Sequence, residues 1–297
     1  MILKLKPFLR SALWGGQRLR EEYGKVCELE NVAESWELSC HPIGMTLTEN
    51  DVALADFIAM HREVLGGGCE KMPLLVKLID ARENLSVQVH PTAAYAAAHP
   101  GTEGKNEMWY ILDCAPDSHI IRGFREDMTR ESVRAAIADG TLLDKVNKIP
   151  VKKGDVFYIP AGTIHALGKG CLAAEIQQSS DTTFRVYDYG RGRQLHIGEA
   201  LDVLELRAAS VPVQTSGKVL ADCEYFRVCR EDVDGESEPV FSRDSFTHLM
   251  ITEGRGEVLE QGKMSGRSAK KGESFFISAG TRWQVKGKCS VIYTVKK

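Results

Sequence analysis

Apolar positions in PLLVKLIDARENLSVQVH (73–90) fall into two β-prone runs separated by a polar Asp-Ala-Arg-Glu-Asn turn, and MWYIL (108–112) reads as another buried strand. Between Met128 and Asn147 the pattern changes to a helical period. Thr129 is placed as an N-cap ahead of RESVRAAIADG, Gly140 is a C-terminal stop, and TLLDKVNKI predicts a second short helix. After Ile149 the chain returns to strands, interrupted by a helical EALDVLELR (199–207) and by the small, polar RAASVPVQTSG (207–217), which marks a domain boundary. From 218 to 297, strands alternate with glycine-containing turns. The first 60 residues are mixed, with a helical pattern near Val52 to Glu63, and Gly66-Gly67-Gly68 follows as a loop. The prediction is a mainly β protein with helical additions.

An internal repeat sharpens this picture. KKGDVFYIPAGTIHAL (152–167) and KKGESFFISAGTRWQV (270–285) align at a constant offset of 118 residues, and half of the positions are identical. Such self-similarity predicts a duplicated β module whose copies share a hairpin. The copies differ at chemically informative places: Pro160 is matched by Ser278, and His165 by Trp283.

Composition narrows the function classes. The 297 residues are 43% hydrophobic and 27% charged, with a formal net charge of -3, so no basic excess points to nucleic acid or an anionic membrane. An anionic ligand must be met by local cations. The eight cysteines contain no CxxC pair, which argues against a thiolate zinc site and against a secreted disulfide framework. No apolar run approaches the roughly 20 residues of a membrane helix, and the expected location is the cytoplasm.

The chemistry concentrates in two hairpins. Gly154, Pro160, Gly162 and His165 resemble the second characteristic motif of the cupin superfamily, in which a tight turn aims a histidine into the mouth of a small barrel. Gly and Pro fix such a corner, and alternation sends every second side chain inward. In SVQVHP, Gln88 and His90 are two residues apart and therefore share a face, and Glu107 opens the next strand. Two imidazoles, a carboxylate and an amide oxygen suit a divalent zinc with an open position.

SWELSCHP, LLVKLIDARENLSVQVHP, GKNEMWYIL, GDVFYIPAGTIHALGKG and AEIQQSSDTTFRVYDYGR, in this order, resemble the short bacterial form of the type I mannose-6-phosphate isomerase family. The likeness runs over most of the chain and is strongest from Val76 to Arg191. It implies two cupin-type, jelly-roll-like β-barrels with helical additions, placed here as a catalytic metal-binding domain at 1–208, with a helical segment around 129–147, and a second barrel at 215–297, which Trp283 and Arg282 in the histidine's slot make metal-free. It also implies one zinc ion per chain on Gln88, His90, Glu107 and His165. The implied reaction interconverts mannose 6-phosphate and fructose 6-phosphate through an enediol(ate). Catalytic roles fall on Lys105 and Arg185, and substrate-binding roles on Lys77 and Ser86. Asn106 occupies the variable middle of the Lys-x-Glu spacing.

Residue chemistry leaves several choices open. Moving a proton between C1 and C2 needs a base, a group that polarises the carbonyl and a stabiliser of the developing enediolate. Lys105 either serves as the base or grips the substrate, with a zinc-associated group as the other candidate, and Arg185 steadies the enediolate. Taken singly, Lys77 would be a snorkelling side chain and Arg185 a cross-strand partner of Asp181 or Asp188. Trp14, Trp36 and Trp109 are expected in the packing, Glu37 is weighed as a pocket residue but expected outside it, and the remaining histidines are expected in structural or exposed roles. The alternatives to an isomerase are a metal-dependent cupin oxygenase and a non-catalytic sugar-binding cupin.

Overall fold

A computed structural model describes residues 1–210, 217–263 and 265–297. The chain is mainly β, as expected, and its contacts divide it into two compact units. One comprises residues 1–12, 17–78 and 215–297, and the other 13–16 and 79–214. This division differs from the expected domains at 1–208 and 215–297, because most of the first 78 residues pack with the C-terminal segment. Part of the expected boundary at 207–217 lies outside the described residues.

In the unit holding 79–214, a five-stranded antiparallel sheet runs in the order Val146–Pro150, His119–Phe124, His165–Leu167, Val87–Val89, Phe184–Tyr187. Glu107–Cys114 lies between Val156–Ile159 and Cys171–Gln178 in a second antiparallel array. Val87, Val89, Ile121 and Ala166 are buried in one apolar cluster with Val133 and Ala136 of helix Arg130–Ala138 and Ala200 and Leu201 of helix Ile197–Val203. One face of the five-stranded sheet is therefore committed to helices.

Local chemistry accounts for the first of these helices. Thr129 Oγ1 accepts the Ser132 backbone N–H at 3.1 Å, and Ser132 Oγ accepts that of Thr129 at 2.9 Å, a reciprocal capping box. Gly140, at φ +71°, stops the segment where expected. The second short helix is a partial correction: only Leu142–Lys145 is helical, and Val146–Pro150 is a strand. Pairing of Ile149 with Ile120 and of Lys148 with Ile121 gives this segment ladder bonds, and β-branched Val146 and Ile149 favour them over a longer helix.

The other unit contains a nine-stranded antiparallel sheet built on the long paired strands Thr247–Glu260 and Arg282–Lys296. Leu249, Ile251, Phe275, Trp283 and Val285 are buried together on one face. Strand Ile2–Lys6 pairs with Ser274–Ile277 and then with Leu47–Thr48, which explains why the N-terminal residues belong to this unit. Among the described residues, the paired strands form open sheets rather than closed cylinders, so the expected barrels exist as packed jelly-roll sheets.

The internal repeat survives in three dimensions. Val156–Ile159 and Ser274–Ile277 stand at the expected offset, and in both copies the glycine of the Ala-Gly-Thr turn donates its N–H to a segment earlier in the chain. Gly162 donates to His90 and Gly280 to Ser242, each at 2.8 Å. All eight cysteines are free thiols. Among the described residues, no helix is long and apolar enough to cross a membrane.

Candidate active site

Strand alternation builds the site. Because Val87 and Val89 face the helices, Gln88 faces the opposite side of the sheet. Gln88 pairs in register with His165 on one neighbouring strand and Arg185 on the other, which places all three side chains in one row. Glu107 enters at the first residue of Glu107–Cys114, and His90 follows directly after Val87–Val89. Ligating atoms of His90, Glu107 and His165 lie within 4.8 Å of one another, and all three residues are buried.

The hydrogen bonds around the trio orient it. His90 Nδ1–H donates to the carbonyl of Thr182 and His165 Nδ1–H to that of Thr163, both at 2.8 Å. Each imidazole therefore turns a bare Nε2 towards Glu107: His90 Nε2 is 3.3 Å from Oε2, and His165 Nε2 is 3.3 Å from Oε1. The Gln88 amide reaches His165 Nε2 at 3.4 Å. His90 Nε2 and Glu107 Oε1 are buried without a hydrogen-bond partner, while Glu107 Oε2 is met by the Lys105 ammonium at 2.9 Å. Burying the two open atoms side by side is costly unless a further cation completes them.

Electrostatics favour the same occupant. Burial, reinforced by the Lys105 ammonium, pushes His90 down to about 3, and burial also lowers His165. Burial alone would raise Glu107, but the Lys105 ammonium, with Nζ 2.9 Å from Oε2, holds the carboxyl well below its usual range. Neutral imidazoles and an ionised carboxylate are the metal-ligating forms. The carbonyls of Thr163 and Thr182 supply the outer contacts that fix ligand tautomers. These residues fit a divalent ion, with Gln88 available as a further oxygen donor.

The remaining expected residues divide by location. Arg185 Nε donates to Ser86 Oγ at 3.3 Å and Nη1 to the Gln194 carbonyl at 2.9 Å, while Ser86 Oγ contacts Gln88 Oε1 at 3.4 Å. Ser86 thus links the arginine to the ligand row. Lys105 is buried, and its backbone N–H is held by the Pro91 carbonyl at 3.0 Å. Lys77 lies in the other compact unit, with Nζ 3.7 Å from Glu34 Oε2 and 5.1 Å from the centre of the Trp36 ring. Glu37 is bound by Lys25 at 2.7 Å, Ser35 at 2.6 Å and Ser274 at 2.8 Å within that unit.

Sequence reading missed several neighbours. Asp188, one proposed partner of Arg185, instead takes hydrogen bonds from Arg191 at 2.8 Å and Arg193 at 2.8 Å. Glu175 accepts from Trp109 Nε1 at 2.8 Å beneath His165, whose ring meets that of Trp109 edge-on. Asn106 binds Gln178 and the Pro160-Ala161-Gly162 turn. Only the clustering of arginines in YGRGR hinted at the first of these.

The repeat carries the ligand positions into the second module. His165 pairs with Gln88 as Trp283 pairs with Val240, while Ile159 and Gln177 flank Glu107 as Ile277 and Val295 flank Thr247. With the shared glycine bond, His90 corresponds to Ser242. Gln88, His90, Glu107 and His165 thus fall on Val240, Ser242, Thr247 and Trp283, a set without imidazole or carboxylate.

Comparison with known proteins gives concordant matches. A family profile for the type I phosphomannose isomerase catalytic domain matches residues 2–113, and one for the mannose-6-phosphate isomerase cupin domain matches residues 215–296. The mannose-6-phosphate isomerase of Streptococcus mutans is 37% identical over 98% of this chain and 96% of its own length. The mannose-6-phosphate isomerase ManA of Bacillus subtilis is 34% identical over 86% of this chain and 87% of its own. The crystal structure of the mannose 6-phosphate isomerase from Bacillus subtilis superposes with a TM-score of 0.90 at 32% identity, covering 99% of each chain. The apo enzyme of Salmonella typhimurium, at 18% identity and a TM-score of 0.79 over 100% of this chain and 99% of its own, shares the fold.

Proposed function

The chain belongs to the type I phosphomannose isomerase family, and from that premise we propose that it interconverts mannose 6-phosphate and fructose 6-phosphate. The proposed cofactor is one zinc ion held by Gln88, His90, Glu107 and His165. The observation that carries this reading is the buried trio, whose ligating atoms converge within 4.8 Å and whose His90 Nε2 and Glu107 Oε1 have no hydrogen-bond partner.

The reaction moves a proton between C1 and C2 of the open-chain sugar through an enediol(ate). When bound, zinc supplies Lewis acidity towards the C1 and C2 oxygens or orders a water. Lys105, anchored 2.9 Å from Glu107, is assigned proton transfer, with a metal-associated group as the competing assignment. Arg185 shares a face with Gln88 and His165 and retains Nη2 for an anionic oxygen, so it is assigned to steady the enediolate. Ser86 orients Arg185 and is proposed, with Lys77 on the family pattern, as a substrate contact. Burial of the trio excludes bulk water and strengthens each of these interactions.

The test is the rate of fructose 6-phosphate formation from mannose 6-phosphate by purified protein, before and after treatment with EDTA and again after zinc is restored. Loss on chelation and recovery with zinc is expected. A folded, zinc-loaded sample without turnover would overturn the isomerase assignment, and oxygen uptake would then favour a cupin oxygenase.

A further inference from the structure

Asn106 stands between Lys105 and Glu107, immediately before the strand that Glu107 opens. Its Nδ2 donates to Gln178 Oε1 at 2.8 Å, and its backbone N–H donates to the same oxygen at 2.9 Å. Its Oδ1 accepts the Ala161 backbone N–H at 3.0 Å and the Tyr158 hydroxyl at 3.3 Å. One amide therefore joins the start of Glu107–Cys114, the end of Cys171–Gln178 and the turn that leads into His165. The next residue of that turn, Gly162, is bonded to the His90 carbonyl, which completes a connected path through three ligand-bearing segments.

The second module provides an internal control. Since Thr247 matches Glu107, Phe246 matches Asn106, and the repeat offset matches Tyr158 with Phe276. These two phenylalanines stack with ring centres 5.5 Å apart. Ala279, the counterpart of Ala161, donates instead to the Val64 carbonyl at 2.8 Å. Where the ligand residues are absent, the same positions of the fold are held by apolar stacking. Thus the hairpin does not require a polar clamp to form.

We propose that Asn106 is the positioning residue of the metal centre, setting the mutual geometry of Glu107, His165 and His90 for a divalent ion. This inference rests on the metal assignment above. A ligand set must be held to about 0.5 Å to bind its ion well, and neighbouring hydrogen bonds supply that precision.

The experiment measures zinc affinity by chelator competition, the visible absorption of the cobalt(II)-loaded protein, and the melting temperature of the metal-free protein. N106L is expected to weaken zinc roughly 10–100-fold, alter the cobalt spectrum and leave metal-free melting near that of the wild type. N106D, which retains acceptors for Ala161 and Tyr158, is expected to recover most of the affinity. Unchanged affinity and spectrum in N106L would overturn the proposal, as would a loss no larger than its fall in metal-free stability explains. If N106L does not fold, Q178L is read in the same way, and unchanged metal affinity there overturns it. Failure of the wild type to bind any divalent ion would refute the metal assignment itself, a result distinct from equal binding by wild type and variant.

Discussion

The backbone N–H of Gly162 donates to the carbonyl of His90 at 2.8 Å, fastening the turn that aims one imidazole to the residue that carries the other. The two histidines are far apart in sequence, but their rings lie 4.7 Å apart between centroids. The candidate metal site and the hairpin are therefore mechanically one object.

Gly162 adopts φ +87°, and a Cβ added there would meet the Val203 carbonyl at 3.0 Å. Gly162→Ala is expected to cost about 1–3 kcal/mol through left-handed backbone strain and to lower metal affinity by tilting His165. Gly154, at φ +93°, has open space where a Cβ would stand, with no atom within 4 Å, so Gly154→Ala should show strain without the metal defect. Denaturant unfolding and zinc titration of the two variants would separate these effects.

His90→Ala removes a ligand and leaves Glu107 beside Lys105 with one imidazole. Metal affinity and kcat/KM are each expected to fall by more than about 100-fold, beyond the range typical of outer-contact substitutions. Metal content after dialysis checks the first, and sugar-phosphate turnover checks the second. Full activity in a protein shown to lack metal would remove zinc from the mechanism.

Arg185→Met is expected to lower kcat roughly 10²–10³-fold, the usual cost of deleting a donor to a developing anion, with metal content unchanged. Arg185→Lys should recover little, because an ammonium cannot bond Ser86 and the Gln194 carbonyl while presenting a planar third edge. Steady-state kinetics alongside zinc analysis provides the comparison, and wild-type kcat in Arg185→Met would exclude its assigned role.

His248 gives a pH prediction outside the active site. Its imidazole is buried, its Nε2 has no hydrogen-bond partner, and burial together with Lys25 pushes its pKa from 6.5 down to about 3. The unfolded chain therefore takes up a proton first as pH falls, so this group's contribution is intact above about 6.5 and is lost progressively towards 3. At pH 5 the loss relative to pH 7 is about 2 kcal/mol. Denaturation of His248→Gln and wild type at both pH values should show a correspondingly smaller pH dependence in the variant.

Much of the site was legible because its signals are local. The spacing of Gln88 and His90 gives a shared face by alternation alone, and Pro160 and Gly162 mark the corner before His165. The repeat at 118 residues also survived, since the turn chemistry of both hairpins is encoded in adjacent residues. The segment after Lys145 was less legible: its composition permits a helical turn, and only the neighbouring Ile120 and Ile121 convert it into a strand.

By itself the sequence determined the ligand types, the faces they share and the glycine turns that orient them, because these follow from backbone stereochemistry over a few residues. Tertiary structure alone decided which carbonyls clasp His90 and His165, that Asp188 holds Arg191 and Arg193, and that Asn106 reaches both Ala161 and Gln178. It also placed Glu37 with Lys25 in the other unit. The His90–Thr182, Asn106–Ala161 and Asn106–Gln178 contacts join segments remote along the chain, whereas those of His165 with Thr163 and of Asp188 with its arginines are local; in every case a hydrogen bond depends on ångström-scale distance and direction that residue identity does not specify until the sheets have packed.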